Sequence, residues 1–370
     1  GVVVSTERLN KIIDFDELNL CIEVEAGLVN GDLKKFLEER GYYYPPDPQS
    51  YETSFIGGNI ATNAGGPRAI KYGTTKDYVM GLSIVTGEGR IVKTGGKVYK
   101  YSSGYNLNEL ICGSEGTLGI ITKAILKFIP LPMKRIVFLL PFLNLENALY
   151  FVLDAQKANL PFSAFEFIDD TAVYYVERFL DRSLPYSERA KCYLFTELEW
   201  QGNDSFIELV EKIASRNDVL DIFVASDRIN EEKLWEARKK ISYAFKEFSK
   251  RIYKADVVVP RGKISQFIRQ TKEISTDKIP VACFGHIGDG NVHVNVLELK
   301  NTDSNDTKYV LSSIMGIVKN LGGFPSGEHG IGIAKKEFLK NFFSSYHIDK
   351  WRKIKKVFDP FNILNPGKIF

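Results

Sequence analysis

The feature that most constrains the fold is the segment Pro130-Leu131-Pro132, which separates two stretches of different rhythm. Proline interrupts helices and central strands, so a closely spaced pair is typical of a domain boundary. Before it, one helix is indicated from Asp32 to Arg40, with Asn30 as N-cap and Gly41 as the stop. Short β-type runs surround that helix, at Cys21–Ala26, Gly81–Thr86, Arg90–Lys93 and Ile120–Ile129. This first stretch is predicted to be an α+β unit with long glycine-bearing loops.

After the boundary, strand and helix patterns alternate. Strands are predicted at Arg135–Leu140, Ser163–Ile168, Lys191–Glu199 and Asp218–Ser226. Helices are predicted at Asn144–Ala158, Asp169–Asp181, Asp204–Arg216 and Asn230–Ser249, and a polar surface loop at Lys300–Thr307. The alternation favours an antiparallel sheet covered on one face, in a ferredoxin-like arrangement. The domains are predicted as residues 1–130, 131–330 and 331–370, with the last segment returning to the first domain.

The composition excludes several classes of protein. With 370 residues and 44% hydrophobic content, the chain can bury a large core without disulfides. Its four cysteines form no C-x-x-C pair, which argues against an iron–sulfur centre, and a net charge of +3 gives no support for nucleic-acid binding. The most apolar stretch, Ile136–Leu153, contains Pro141 and Glu146, so a strand and a helix are predicted instead of a membrane span. A cytoplasmic protein is expected, at most peripheral at the membrane.

The strongest chemical signal is the run Gly285-His286-Ile287-Gly288-Asp289-Gly290-Asn291-Val292-His293-Val294-Asn295. Val281–Gly285 and Val292–Val296 are predicted strands and the residues between them a turn. Two imidazoles then converge on one point, and His293 shares a strand face with Asn295. The opposite face, with Val292, Val294 and Val296, is predicted to face the core.

A third histidine lies in Ser326-Gly327-Glu328-His329-Gly330-Ile331-Gly332. Adjacent residues of an extended segment point to opposite sides, so Glu328 is predicted to face a metal and His329 a substrate. Two histidines and a carboxylate suit Zn, Mn or Fe. Each segment alone also fits an ordinary glycine turn, but three of the four histidines in the chain lie in such runs.

Two further glycine-rich segments are candidate ligand loops. One is Gly57–Gly66, which follows Pro45-Pro46-Asp47-Pro48, and the other is Gly113–Ile121. Backbone N–H groups without side-chain obstruction bind pyrophosphate or line a flat ring. The first segment does not have the spacing of a dinucleotide fold, and each segment alone also fits a plain loop or turn.

These motifs occur in matching order with the ending Phe358-Asp359-Pro360-Phe361-Asn362-Ile363-Leu364-Asn365-Pro366-Gly367-Lys368. Together they resemble the FAD-linked 2-hydroxy-acid dehydrogenases of the vanillyl-alcohol-oxidase type, over essentially the whole chain. The resemblance implies metal ligands at His286, His293 and Glu328, and a catalytic base at His329. It implies substrate-binding residues at Arg238, Lys254 and Asn295. It implies FAD-binding residues at Pro46, Gly57, Asn63, Gly65, Glu115, Gly116, Gly119, Ile121 and Asn365.

The implied reaction is oxidation of a small D-2-hydroxy acid to the 2-oxo acid by hydride transfer to FAD. The electrons then pass to an external acceptor, namely a quinone, an electron-transfer flavoprotein or an iron–sulfur subunit. A homodimer or a heteromeric complex is compatible with the sequence. Three alternatives stay open: a His/His/Glu metallohydrolase, a non-catalytic partner subunit, and the ether-lipid synthase branch, which has a His-rich run where this chain has Glu328-His329.

One departure from the resemblance concerns the beginning of the sequence. Family members carry an earlier glycine-rich loop that holds the FAD pyrophosphate, and Gly1-Val2-Val3-Val4 matches the strand just after it. The sequence is therefore expected to be a fragment, or to receive this loop from another chain, and to hold FAD weakly as it stands.

Overall fold

The computed structural model describes residues 1–200, 206–299 and 304–370, and it divides into two compact units. The first unit comprises Gly1–Leu131 and Glu328–Phe370, and the second comprises Pro132–Gly327. The first boundary between the units lies one residue after the predicted boundary at residue 130. The second lies three residues before the predicted boundary at residue 330. The paired prolines of residues 130–132 therefore lie at the junction, where neither a helix nor a central strand has to continue.

The N-terminal part of the first unit combines short strands with short helices. The strands are β1 (Ile12–Asp16), β2 (Cys21–Glu25), β3 (Tyr42–Tyr43), β4 (Val79–Val85), β5 (Ile91–Gly95), β6 (Ile120–Lys127) and β7 (Ile129–Pro130). The helices are α1 (Asn30–Glu38), α2 (Ile56–Thr62), α3 (Ala69–Tyr72) and α4 (Leu107–Ile111). An antiparallel sheet has the order β1-β2-β6-β4-β5, and β3 pairs separately with β7.

Helix α1 covers this sheet with Leu33 and Leu37, which are fully buried in the core cluster shared with β2. The predicted N-cap was wrong, because Val29 occupies the cap and Asn30 is the first helical residue. The Asn30 side chain instead donates from Nδ2 to the carbonyl of Pro46 at 3.4 Å. A buried amide is therefore used to hold the proline turn, and the helix begins without a side-chain cap.

The second unit is built on one large antiparallel sheet. Its strands are β8 (Lys134–Phe142), β9 (Phe162–Asp169), β10 (Cys192–Trp200), β11 (Phe223–Ala225), β12 (Arg251–Val258), β13 (Val281–His286) and β14 (Asn291–Glu298). Its helices are α5 (Leu145–Lys157), α6 (Asp170–Leu180), α7 (Phe206–Arg216), α8 (Arg228–Phe248), α9 (Ile264–Glu273) and α10 (Ser304–Asn320). The strand order is β11-β8-β10-β9-β13-β14-β12, so the first four strands of this unit, β8 to β11, occupy the ferredoxin-like order 4-1-3-2.

The sheet is covered on both faces, so the prediction of a single covered face was wrong. Helix α5 packs through Phe151 against Phe142, with ring centroids 6.0 Å apart. Helix α8 packs through Phe245 into the cluster of Tyr193 and Phe195, which lie on the opposite face. Strand β9 is buried at every position. An apolar run without alternation is typical of a strand buried on both faces. The sequence of β9 therefore indicates a sheet that is covered on both sides.

Local differences from the predictions concern one strand and one loop. The strand predicted at Asp218–Ser226 is only the three-residue β11. Of the loop predicted at Lys300–Thr307, the first four residues lie outside the described residues, and the remainder begins α10. Thr307, within this helix, is fully buried. The helix predicted from Asp204 is described from Phe206 onward, as α7.

The apolar stretch Ile136–Leu153 forms part of β8 and then α5, as predicted. Within the described ranges of the chain, no helix is both long enough and apolar enough to cross a membrane. The four cysteines are free.

The C-terminal segment belongs to the first unit and contains α11 (Lys336–Phe342) and α12 (Ser345–Phe358). Asp359, buried at the end of α12, accepts hydrogen bonds from Lys355 Nζ at 2.7 Å and from the N–H groups of Ile363 and Leu364 at 3.0 and 2.8 Å. Lys355 also donates to the carbonyl of Thr117 at 3.0 Å. This buried ion pair fixes the tail that carries Asn365 against the rest of the first unit.

We expect Asp359→Ala to lower the free energy of unfolding by about 3–5 kcal/mol, because the ammonium of Lys355 stays buried without its carboxylate. Urea denaturation followed by circular dichroism measures the change. Asp349→Ala is the matched control, since it removes an exposed pair with Lys353 in the same helix and should leave the transition in place. Equal shifts in both variants would show that the buried Lys355–Asp359 pair contributes no more to the free energy of unfolding than the exposed pair.

Candidate functional site

The two predicted strands around the histidines form the hairpin β13–β14, as expected from the sequence. His286 is the last residue of β13 and His293 lies near the start of β14, and their ring centroids are 5.2 Å apart. The loop between them needs glycine at Gly290, where φ is +98° and a Cβ would lie 2.2 Å from the carbonyl oxygen of Val259. The turn therefore brings both imidazoles together at one end of the sheet.

Strand register places the predicted polar residues of this unit on one face of the sheet. His293 lies opposite Asp256 of β12 and Asn295 lies opposite Lys254. Residues directly opposite one another in antiparallel strands project from the same face. The other face of β14 carries Val292, Val294 and Val296, which are fully buried, as predicted.

The side chains at the edge of this face differ in exposure. Lys254 is exposed, whereas Asn295 is buried and donates from Nδ2 to the carbonyl of His293 at 3.2 Å. The structure therefore brings Lys254, Asn295 and His293 together on two neighbouring strands.

Each histidine of the hairpin has a buried carboxylate at its Nδ1. Glu166 of β9 lies opposite His286 and its Oε1 contacts His286 Nδ1. Asp256 Oδ1 lies 3.5 Å from His293 Nδ1. Asp256 also accepts hydrogen bonds from Asn291 Nδ2 at 2.7 Å and from the N–H of Gly327 at 3.2 Å. Each imidazole therefore has its Nδ1 side turned towards a carboxylate, an arrangement common in metal-binding histidines, which ligate through the other nitrogen.

Arg238 extends from α8 to the same buried carboxylate. Its Nε and Nη2 donate to Oε2 of Glu166 at 2.9 and 2.6 Å, and its guanidinium lies 4.5 Å from the centroid of the Phe284 ring. Burial by itself raises the pKa of Glu166, but the neighbouring His286 and Arg238 outweigh it and hold the pKa below its ordinary value. Glu166 is therefore an ionised carboxylate shared by an imidazole and a guanidinium.

Glu166 and Asp256 were not predicted from the sequence. Both were visible as single carboxylates within apolar runs, Phe162–Ile168 and Ala255–Val259. A charge inside a strand buried on both faces is costly unless it is paired, so such a residue indicates a partner elsewhere in the chain. That signal identifies the residue, although it does not identify the partner.

In the first unit, the run Gly57–Gly66 is only partly a loop, because Gly57 lies within α2. A Cβ on Gly57 would lie 2.7 Å from Cβ of Ala26, so this glycine allows the helix to pack closely on the adjacent chain. Asn63 ends α2 in the left-handed conformation, and its Oδ1 accepts hydrogen bonds from Thr74 Oγ1 and from the N–H of Lys76, both at 3.0 Å. These two predicted FAD-binding positions thus have structural partners of their own.

Gly65 and Gly66 are the positions in this run that best fit a bound FAD. Both are buried, and no described residue accepts a hydrogen bond from either N–H. A buried N–H without a protein acceptor is uncommon, whereas an oxygen or nitrogen acceptor of a flavin dinucleotide would satisfy it. Pro46 is also buried beside them, since a Cβ on Gly66 would lie 2.1 Å from the carbonyl oxygen of Asp47.

The second glycine segment lies along α2 and contacts the C-terminal segment. The N–H of Glu115 donates to the carbonyl of Ala61 at 2.7 Å. The carboxylate of Glu115 accepts hydrogen bonds from the N–H groups of Ile331 and Gly332 at 2.7 and 2.8 Å. Asn365 Nδ2 donates to the carbonyl of Glu115 at 2.6 Å. Glu115 therefore holds the loop that follows His329.

The other predicted FAD-binding residues of this segment have packing roles. A Cβ on Gly116 would lie 2.8 Å from Asn365 Nδ2, and a Cβ on Gly119 would lie 2.9 Å from Cδ1 of Ile84. Ile121 is buried in the core of the first unit. The structure therefore brings Asn63, Glu115, Gly116 and Asn365 into one neighbourhood, with Gly119 and Ile121 in the sheet beneath.

Glu328 and His329 do not point to opposite sides, so that prediction was wrong. His329 Nε2 lies 3.4 Å from Glu328 Oε1. The rule for adjacent residues holds only in an extended strand, and this segment is bent from Gly327 to His329, with φ of +74° at Gly330. A Cβ on Gly65 would lie 3.0 Å from Glu328 Oε2, so Glu328 lies beside the predicted FAD-binding run.

Comparison with known proteins connects these two units to one family. Residues 131–369 match the model described as FAD linked oxidases, C-terminal domain, and residues 1–95 match an FAD binding domain. The chain is similar in fold to 4-ethylphenol oxidase from Gulosibacter chungangensis, with a TM-score of 0.71 and 18% identity, over 98% of this chain and 78% of that one.

Three curated relatives align with the whole of this chain. The glycolate oxidase subunit GlcD of Bacillus subtilis is 35% identical, with 79% of its length covered. A D-lactate dehydrogenase of Anaerostipes hadrus is 35% identical, with 80% covered. A D-2-hydroxyglutarate dehydrogenase of Stutzerimonas stutzeri is 33% identical, with 81% covered. The chain therefore belongs to the FAD-linked oxidase family and is an FAD-dependent oxidoreductase.

Proposed function

We propose that this protein oxidises a small 2-hydroxy acid of D-configuration to the 2-oxo acid. The observation that carries the proposal is the hairpin pair His286 and His293, with a carboxylate at each Nδ1, on the sheet face that also presents Lys254 and Asn295. The relatives are named for glycolate, D-lactate and D-2-hydroxyglutarate. These compounds share a hydroxyl group on the carbon next to a carboxylate.

His286 and His293, with Glu328 as third ligand, are proposed to hold a divalent ion such as Zn²⁺, Mn²⁺ or Fe²⁺. The donor chemistry fits, because metal-binding histidines commonly direct their other ring nitrogen to a carboxylate, as both do here. When bound, the ion supplies polarisation of the substrate hydroxyl.

Arg238, Lys254 and Asn295 are proposed to bind the substrate. The hydrogen bonds to Glu166 occupy Nε and Nη2 of Arg238, so its Nη1 is the donor proposed for the substrate carboxylate. The exposed Lys254 adds a flexible second cation. Asn295 is held by its bond to the His293 carbonyl, which orients its amide beside that ring.

His329 is proposed to take the proton of the substrate hydroxyl group. The hydride leaves the carbon that bears this hydroxyl, so that the C–O bond becomes a carbonyl. FAD supplies the hydride acceptor. Gly65 and Gly66, with the neighbouring Pro46, Asn63, Gly116 and Asn365, are proposed to bind it. Glu115 would position the loop after His329 through its two backbone hydrogen bonds.

The electrons are proposed to leave for an acceptor on another molecule. All four cysteines are free and widely separated in sequence, so the chain offers no cysteine cluster for an iron–sulfur relay. A quinone, an electron-transfer flavoprotein or an iron–sulfur subunit are the acceptors that fit, and the last two imply a heteromeric complex.

Anaerobic reduction of the flavin tests the proposal. We expect the purified protein, supplied with FAD and Mn²⁺, to lose the yellow absorbance band of its oxidised flavin when D-lactate, glycolate or D-2-hydroxyglutarate is added. Acetate, which lacks the hydroxyl, is the matched control and should leave the band intact. A flavin that none of the three acids bleaches would contradict oxidation of 2-hydroxy acids.

A further inference from the structure

Glu166 occupies a position that ties three elements of the second unit together. It lies in β9 with no exposed surface. One carboxylate oxygen contacts Nδ1 of His286 on β13, and the other accepts two hydrogen bonds from Arg238 on α8. The three residues are far apart in sequence, because Glu166 precedes His286 by 120 residues and Arg238 by 72 residues.

Stability alone does not explain this arrangement. Removing ions from water costs about as much as their attraction returns, and buried ion pairs are often replaceable by apolar residues without loss. The surroundings are apolar: β9 is buried throughout, and the guanidinium packs on the ring of Phe284. A carboxylate placed among such residues is better explained by what it does for its two partners.

We propose that Glu166 is a shared positioning residue, which couples the metal ligand His286 to the substrate-binding Arg238. This inference rests on the proposed function. Glu166 accepts from Nδ1 of His286, so that Nε2 of the ring is the nitrogen available to an ion. The same carboxylate engages the Nε–Nη2 edge of Arg238, and the ring of Phe284 lies against the guanidinium. Together these contacts direct Nη1 to a second carboxylate.

An amide cannot replace this carboxylate. The side chain of Gln has a single acceptor oxygen, and its other terminal atom is a donor. In Glu166→Gln, one of the two partners must therefore lose its acceptor and face an N–H group. The change should affect metal binding and recognition of the substrate carboxylate together.

Asp256 provides a matched control. Its carboxylate lies beside Nδ1 of His293, whereas the carboxylate of Glu166 contacts both His286 and Arg238. Glu166→Gln and Asp256→Asn are each expected to weaken Mn²⁺ binding by about 10–100-fold. Only Glu166→Gln is expected also to raise KM for the 2-hydroxy acid, by roughly 10-fold more than Asp256→Asn when both are saturated with Mn²⁺.

The decisive readout is Mn²⁺ affinity, measured by calorimetry and electron paramagnetic resonance on the full chain without substrate. Unchanged affinity in Glu166→Gln, or equal KM values in the two variants, would overturn the shared role. If the wild-type protein itself binds no Mn²⁺, the metal part of the proposed function fails and this inference fails with it. If Glu166→Gln does not fold, Glu166→Asp decides: its shorter carboxylate should weaken at least one of the two functions, and wild-type values for both would overturn the proposal.

Discussion

Replacing His286 and His293 together by alanine is expected to abolish binding of the divalent ion and to lower turnover by at least about 10³-fold. Loss of several kcal/mol of transition-state stabilisation corresponds to a factor of this size. The FAD content should remain that of the wild-type protein, because the residues proposed to bind FAD belong to the first unit. Metal content by mass spectrometry, flavin absorbance and steady-state kinetics measure the three quantities.

His347 supplies the control for this double variant. It is the remaining histidine of the chain, is exposed on α12 and has Ser344 as its partner. His347→Ala should therefore bind metal and turn over substrate like the wild-type protein. If the double variant retained a full complement of metal, the ion would have to be bound elsewhere and the hairpin histidines would have another purpose.

His329→Asn is expected to lower kcat by about 10²–10⁴-fold, the usual contribution of a general base. Both FAD content and metal content should be unchanged, because His329 is not proposed to hold either group. The rate of anaerobic flavin reduction in a single turnover measures the step directly. His347→Asn, the same replacement at the exposed histidine, controls for the change itself. Flavin reduction within tenfold of the wild-type rate would exclude His329 as the base.

The hairpin could be predicted because the residues that determine it are neighbours in the sequence. Alternation with period two identified the strands, the glycines of residues 285–290 identified the turn, and the separation of His286 and His293 then followed from strand geometry. The carboxylates behind the two histidines were not predictable in the same way. Glu166 is paired with His286 only because β9 lies beside β13, and the order of strands in a sheet is decided by packing of the whole unit.

Single residues show where local rules fail. The opposite directions predicted for Glu328 and His329 assumed an extended backbone, but glycines on both sides of the pair allow a bend. Gly57 and Gly119 are predicted to bind FAD, and the structure adds a packing reason for each, because a Cβ on either would collide with its own unit. Glycine in a sequence does not reveal whether it makes room for a ligand or for a neighbouring side chain.

The carboxylates of Glu166 and Asp256 have a consequence for how an anion reaches this face of the sheet. Glu166 contacts Arg238, and Asp256 lies two residues from Lys254 on the same strand face, so each cation has an anion near it. Opposite charges that lie close together largely cancel at a distance, so Arg238 and Lys254 by themselves generate little long-range field. Their preference for a carboxylate then arises at contact range, from directed donors. The contribution of these two cations to binding should therefore depend weakly on ionic strength, in contrast to a lysine-lined cleft that collects anions from a distance.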